Sequence, residues 1–76
     1  MPHVIVKMYP GRTEQQKLEL TDKIVKAVME AVNAEESSIS VSIEEIAKEK
    51  WAAEVYEPDI IAKENTLYKK PGYKPL

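Results

Sequence analysis

The chain has 76 residues, of which 43% are hydrophobic and 32% charged, and its formal net charge at pH 7 is −2. Nucleic-acid-binding proteins carry an excess of basic residues, and a membrane-spanning helix needs roughly 20 apolar residues, so neither partner is expected. The absence of cysteine excludes disulfides and thiolate metal sites, and the lone His3 cannot build a zinc site by itself.

The first predicted element is a β-strand over residues 2–9. Its side chains alternate between two faces, one of which carries Val4, Val6 and Met8. Period-2 alternation of this kind is typical of a half-buried strand. Pro10 then supplies a turn residue that ends the strand.

A long helix is predicted to begin after Thr13, because Gln16 lies three residues later and completes a capping-box pattern. Two neighbouring apolar stripes follow, and they comprise Leu18, Thr21, Val25, Val28 and Val32 on one side and Leu20, Ile24, Ala27 and Ala31 on the other. Asn33 fits the left-handed residue that ends such a helix. This apolar face is broader than one sheet contact needs, so we expect it to meet another subunit.

The second predicted strand covers residues 39–44, where Ile39, Val41 and Ile43 alternate with polar residues. A helix between two strands favours a right-handed βαβ crossover with parallel strands. Two strands and one helix cannot enclose a hydrophobic core in so short a chain. Self-association commonly stabilises the core of such a small protein.

A second, short helix is predicted with Pro58 in its first turn and its end near Tyr68. The sequence therefore predicts an α+β fold, namely a β-α-β unit with a short second helix, assembled into an oligomer. No linker or repeat divides the chain, so we expect a single domain over residues 1–76.

Proline at position 2 is chemically unusual because it follows the initiator Met1 directly. Initiator methionine is normally removed before so small a residue, and removal would leave Pro2 with a basic secondary amine. Burial would lower the pKa of that amine, and a base whose pKa lies near the working pH can move protons. His3 is interpreted as an ordinary strand residue at a surface or interface.

Three segments form a recognisable pattern when they are taken together. They are Pro2-His3-Val4-Ile5-Val6-Lys7, Gly11-Arg12-Thr13-Glu14-Gln15-Gln16-Lys17 and Ser37-Ser38-Ile39-Ser40-Val41. This pattern resembles the 4-oxalocrotonate tautomerase family. The second segment is fairly specific for this family when it follows an amino-terminal proline at this distance along the chain. The resemblance covers the chain to about Trp51, and the longer end, with Lys69-Lys70-Pro71-Gly72-Tyr73, is similar to the PptA-type branch, whose members form dimers.

The resemblance implies a keto–enol tautomerase that needs neither a cofactor nor a metal. Pro2 matches the general acid/base, which moves a proton between an enol oxygen and a carbon of an enolpyruvate or 2-hydroxydienoate. Arg12, the only arginine of the chain, matches the residue that holds the substrate carboxylate, and its planar fork suits that contact. Trp51 matches an aromatic residue that walls the pocket and lowers the pKa of the proline.

The second active-site arginine of the family falls on Ser40 in this chain. Ser40 therefore joins Arg12 and Trp51 as a predicted substrate-binding residue, although a serine cannot supply a charge for a second carboxylate. Two alternatives stay open: the substrate carries one carboxylate, or a lysine supplies the second cation. The candidate lysines are Lys7, Lys48 and Lys50.

Two other functions stay open as well. One is a related reaction of the same family, water addition or dehalogenation, in which a protonated Pro2 acts as an acid. The other is a non-catalytic oligomeric module, because retained Met1 would make the Pro2 nitrogen a tertiary amide without basicity. The predicted partners are a small enolic carboxylate and further copies of the chain. A dimer is favoured over a hexamer. The predicted location is the cytoplasm.

Overall fold

The computed structural model describes residues 1–74. The chain divides into two compact units, of which the first covers residues 1–45 and the second begins at Ile46. The single domain expected over residues 1–76 stays a prediction, and its last two residues, Pro75 and Leu76, lie outside the described residues.

The first unit is a β-α-β motif. Strands β1 (His3–Met8) and β2 (Ser40–Glu45) form a two-stranded parallel sheet, and helix α1 (Glu14–Val32) connects them. The parallel pairing confirms the predicted arrangement, and each strand lies within one residue of its predicted bounds. The register places His3 opposite Ser40, so the polar residues at the start of both strands are neighbours.

One face of this sheet is apolar. In β1 the half-buried Val4 and Val6 alternate with the exposed His3 and Ile5. Helix α1 packs against β2, and its half-buried apolar residues lie on successive turns of the helix. They are Leu20, Ile24, Val25 and Val28. The apolar layer of the unit therefore lies between α1 and the sheet.

Both predicted ends of α1 are confirmed. The backbone N–H of Gln16 donates to the Thr13 hydroxyl at 3.1 Å, and the Thr13 backbone N–H donates to Gln16 Oε1 at 2.9 Å. At the other end Asn33 adopts the left-handed conformation with φ 55°. These local bonds satisfy backbone groups that a helix end leaves unpaired.

Thr13→Ala is expected to lower the free energy of unfolding by about 1 kcal/mol, because it removes the hydroxyl that caps α1. Thr13→Ser keeps the hydroxyl and serves as the matched control. Denaturant unfolding at one fixed protein concentration measures both variants. Equal losses in the two variants would show that the capping hydroxyl contributes nothing.

The second unit contains a helix, Ala52–Ile61, that differs from the prediction. The expected helix from Pro58 to about Tyr68 is wrong, because Pro58 lies inside the observed helix rather than in its first turn. In an α-helix an interior proline ring clashes with the carbonyl group four residues earlier. This helix is π-helical, as the bond from the Ala62 N–H to the Glu57 carbonyl at 2.9 Å illustrates, and its wider turn accommodates the ring.

Few side chains are enclosed in a single copy. Among the described residues Val55, with 5% of its surface exposed, is the only buried hydrophobic one. On α1, Leu18 and Val32 are 60% and 65% exposed, so the broad apolar face is only partly covered. No helix within residues 1–74 is both long and apolar enough to cross a membrane, and the cytoplasmic location stays a prediction.

Candidate active site

Pro2 lies at the head of β1, beside the start of β2. The backbone N–H of Ser40 donates to the Pro2 carbonyl at 3.2 Å, which extends the ladder one residue beyond β1. Pro2 is half-buried, whereas Met1, bonded to its nitrogen, is fully exposed. The sheet therefore fixes Pro2 in position and leaves Met1 exposed.

Ser40 also contacts the side chain next to Pro2. Its hydroxyl oxygen lies 2.6 Å from Nδ1 of His3, and the tautomer of the imidazole decides which atom donates. The hydroxyl predicted to meet a substrate is thus engaged with His3. His3 was predicted to be an ordinary strand residue, and its contact with Ser40 was not predicted, because only the register of the two strands brings them together.

Arg12 lies at the opposite end of β1. The strand ends at Met8, Gly11 turns the chain with φ +124°, and Thr13 caps the helix that runs back. Six residue steps of about 3.3 Å separate Pro2 from Met8, so the two ends of the strand are about 20 Å apart. An arginine side chain cannot span that distance within one copy.

The guanidinium group of Arg12 has no hydrogen bond or ion pair within residues 1–74, and the residue is exposed. Its neighbours in the same motif have structural roles, since Thr13 and Gln16 cap α1. Lys17 Nζ lies 3.0 Å from Oε1 of Glu45, which joins the first turns of α1 to the end of β2. Arg12 is therefore a cation on a fixed backbone, available to an anionic ligand.

Trp51 belongs to the second unit, where it precedes the helix Ala52–Ile61. It is half-buried, and its indole N–H donates to the hydroxyl of Tyr73 at 2.9 Å. The ring centroids of Tyr73 and Tyr56 are 6.0 Å apart, and the planes are tilted by 46°. The contact of Tyr73 with Trp51 was not predicted, because neither periodicity nor spacing in the tail points to Tyr73.

The lysines considered as a second cation differ in their surroundings. Lys7 lies opposite Glu44 in the register of the sheet. Lys48 and Lys50 are exposed in a short 3-10 helix of the second unit. In the part of the chain that the structure describes, no three His, Asp or Glu side chains are grouped so as to hold a metal ion.

The sequence matches a family model described as tautomerase enzyme over residues 2–57. The chain belongs to the tautomerase family. This tautomerase is 38% identical to a probable tautomerase of Xylella fastidiosa, over 100% of this chain and 93% of the relative. It is 35% identical to tautomerase PptA of Cronobacter sakazakii, over 97% of this chain and 99% of that one. The family resemblance predicted from the sequence is confirmed, and the chain is an enzyme with a tautomerase-type activity.

Two solved structures are similar in fold. The first is YwhB, a homologue of 4-oxalocrotonate tautomerase, with a TM-score of 0.61 and 49% identity over 62% of this chain and 77% of that one. The second is a 4-oxalocrotonate tautomerase isozyme of Methylibium petroleiphilum, with a TM-score of 0.63 and 38% identity over 66% and 81% of the two chains. These similarities confirm the predicted α+β fold.

Proposed function

We propose that this tautomerase interconverts the keto and enol forms of a small enolic carboxylic acid, such as an enolpyruvate or a 2-hydroxydienoate, without a cofactor. The amine of Pro2, freed when Met1 is removed, is the general acid/base. The placement of Pro2 supports this most directly, because the bond from Ser40 holds it half-buried at the head of β1. The match to the family also begins at this residue.

The chemistry needs one group that accepts and returns a proton. The neutral amine takes the proton of the enol hydroxyl, the oxygen becomes a carbonyl oxygen, and the carbon–carbon π electrons form a bond to the proton that the resulting prolinium delivers. Transfer by a positioned group of this kind contributes roughly 10²–10⁴-fold to the rate. Partial burial supports the role, because desolvation disfavours the charged form and lowers the pKa of the amine.

Arg12 binds the substrate carboxylate in this proposal. Because Arg12 follows the end of β1 that is about 20 Å from Pro2, the arginine of each site comes from a second copy in this proposal. The exposed apolar side chains of Leu18 and Val32 on α1 support such an association. Trp51 completes the proposed site as its aromatic wall, and a dimer is favoured over a hexamer.

Sedimentation velocity at micromolar concentration is expected to give a dimer or a larger oligomer, since a single copy leaves the apolar face of α1 partly uncovered. Leu18→Lys places a charge on that face and should shift the distribution toward smaller species. Lys23→Ala, at an exposed polar position of the same helix, should leave the distribution unchanged. A compact and active wild-type monomer would contradict the shared site.

The proposal is tested by assaying ketonisation of enolpyruvates and 2-hydroxydienoates with protein whose N-terminus has been verified. Removal of Met1 lowers the intact mass by about 131 Da, which mass spectrometry resolves easily. The processed protein is expected to ketonise at least one of these carboxylates well above the uncatalysed rate. Inactivity of verified Pro2-starting protein toward both classes would refute the proposal.

A monocarboxylate is expected to be preferred over a dicarboxylate, because Ser40 provides no charge for a second carboxylate. Ser40→Arg should raise kcat/KM for the dicarboxylate by about tenfold or more, since a charge-assisted hydrogen bond forms. Ser42→Arg places the same charge two residues farther along the strand and serves as the control. A clear wild-type preference for the dicarboxylate would show that another cation acts at the second carboxylate.

A further inference from the structure

Side-chain hydrogen bonds join the C-terminal segment, residues 67–74, to earlier residues of the second unit. The hydroxyl of Tyr73 accepts the hydrogen bond from the Trp51 indole at 2.9 Å. Lys70 Nζ lies 3.5 Å from Oε1 of Glu64, which follows the helix Ala52–Ile61. The segment is therefore held where the Tyr73 hydroxyl meets the indole.

The bond from Trp51 to Tyr73 constrains the orientation of the indole. An indole ring has one polar atom, its N–H donor, and a hydrogen bond at that atom restricts rotation of the whole ring. The position of Tyr73 is restricted in turn by its ring contact with Tyr56, with centroids 6.0 Å apart. Tyr73 also lines a cavity of about 270 Å³ together with Tyr56, Ile60 and Leu67. The hydroxyl of Tyr73, a residue with 46% of its surface exposed, is thus the acceptor that the indole meets.

We propose that Tyr73 is a positioning residue, which holds the Trp51 indole in the orientation that keeps water away from the proline amine. This inference rests on the proposed function, in which Trp51 is the wall of the substrate pocket. Tyr73 acts only through Trp51 and does not touch the substrate or the reacting atoms. Tyr73 lies beyond residues 2–57, the part of the chain that the family model covers, whereas Trp51 lies within it.

Tyr73→Phe tests the role of the hydroxyl, because it removes the acceptor and keeps the ring beside Tyr56. We expect kcat/KM to fall about two- to tenfold, the range that loss of one hydrogen bond covers. The acidic limb of the pH profile should move to higher pH, because water then reaches the amine and stabilises its charged form. Tyr68→Phe is the matched control, since Tyr68 is fully exposed and has no hydrogen bond within residues 1–74.

A double-mutant cycle distinguishes positioning from general stabilisation. Trp51→Phe keeps an aromatic wall and removes the N–H donor, so Tyr73→Phe should cause no further loss of kcat/KM in that background. Additive losses would overturn the inference, because Tyr73 would then act independently of the indole. Unchanged kcat/KM and an unchanged pH profile in Tyr73→Phe would overturn it as well.

The fluorescence of Trp51, the only tryptophan of the chain, gives a readout that does not depend on activity. Acrylamide should quench it more strongly in Tyr73→Phe than in wild type or Tyr68→Phe, and equal quenching would contradict the proposed positioning. An inactive wild-type protein would overturn the proposed function, and with it the catalytic part of the inference. An active wild-type protein with equal quenching overturns the inference alone.

Discussion

Pro2→Ala is expected to lower kcat/KM for an enolpyruvate by about a hundredfold or more, because the substitution replaces a rigid secondary amine by a primary amine of different basicity. The fold should persist, since the Ser40 N–H donates to the carbonyl of residue 2, which alanine retains. Steady-state kinetics and circular dichroism measure the two effects. Pro10→Ala, the same substitution in the exposed turn, is the control and should keep most of the activity.

The pH dependence identifies the titrating group. A base must be unprotonated to accept the enol proton, so kcat/KM should rise with pH through the apparent pKa of the Pro2 amine. If the proposed pocket desolvates the amine, that apparent pKa is expected below the value of a free prolyl amide, because desolvation disfavours the charged form. Pro2→Ala should shift this rising, acidic limb of the pH profile as well as lower kcat/KM. Wild-type kcat/KM and an unmoved limb in Pro2→Ala would exclude the amine as the base.

Arg12→Ala is expected to lower kcat/KM for a carboxylate substrate by roughly 10- to 100-fold, since it removes a charge-assisted, bidentate contact. The loss appears in KM alone if ground and transition states are bound equally, and in kcat too if the contact strengthens along the reaction. Arg12→Lys keeps the charge without the fork and should be intermediate. Stability of the isolated copy should change little, because Arg12 has no partner within residues 1–74.

Lys23→Ala removes an exposed positive charge elsewhere on the chain and is the control for Arg12→Ala. Co-expression of Arg12→Ala with Pro2→Ala then tests whether the site is shared between copies. A mixed dimer holds one site with an intact proline from one chain and an intact arginine from the other. Randomly mixed dimers should recover about a quarter of the wild-type activity, because half are mixed and one of their two sites is complete. No recovery in verified mixed oligomers would place both residues in one copy.

The features predicted well from the sequence are those that depend on neighbouring residues. The capping box of Thr13 and Gln16 and the left-handed Asn33 involve contacts within one helix turn, so sequence spacing determines them. The same holds for the two strands, because the alternation of apolar and polar residues along each strand indicates which face is buried. The role of Arg12, which the family motif suggests, stays a prediction, and the capping neighbours of Arg12 explain why its backbone is fixed.

The features that were missed depend on residues far apart in the chain. The His3–Ser40 contact spans 37 residues and the Trp51–Tyr73 contact spans 22, so strand register and the path of the tail decide them. The helix around Pro58 was misplaced for a different reason. Proline is most often found in the first helical turn, and sequence does not reveal that a π-helical stretch accommodates it farther inside.

Whether the Pro2 amine moves the proton is tested most directly by two preparations of the same chain that differ only in Met1. One is verified by intact mass to begin at Pro2, and the other to begin at Met1, whose peptide bond turns the proline nitrogen into a non-basic amide. With an enolpyruvate as substrate, the Pro2 preparation is expected to be active and the Met1 preparation to lose at least about a hundredfold in kcat/KM. Equal kcat/KM in the two preparations would contradict the assignment of the amine as the base.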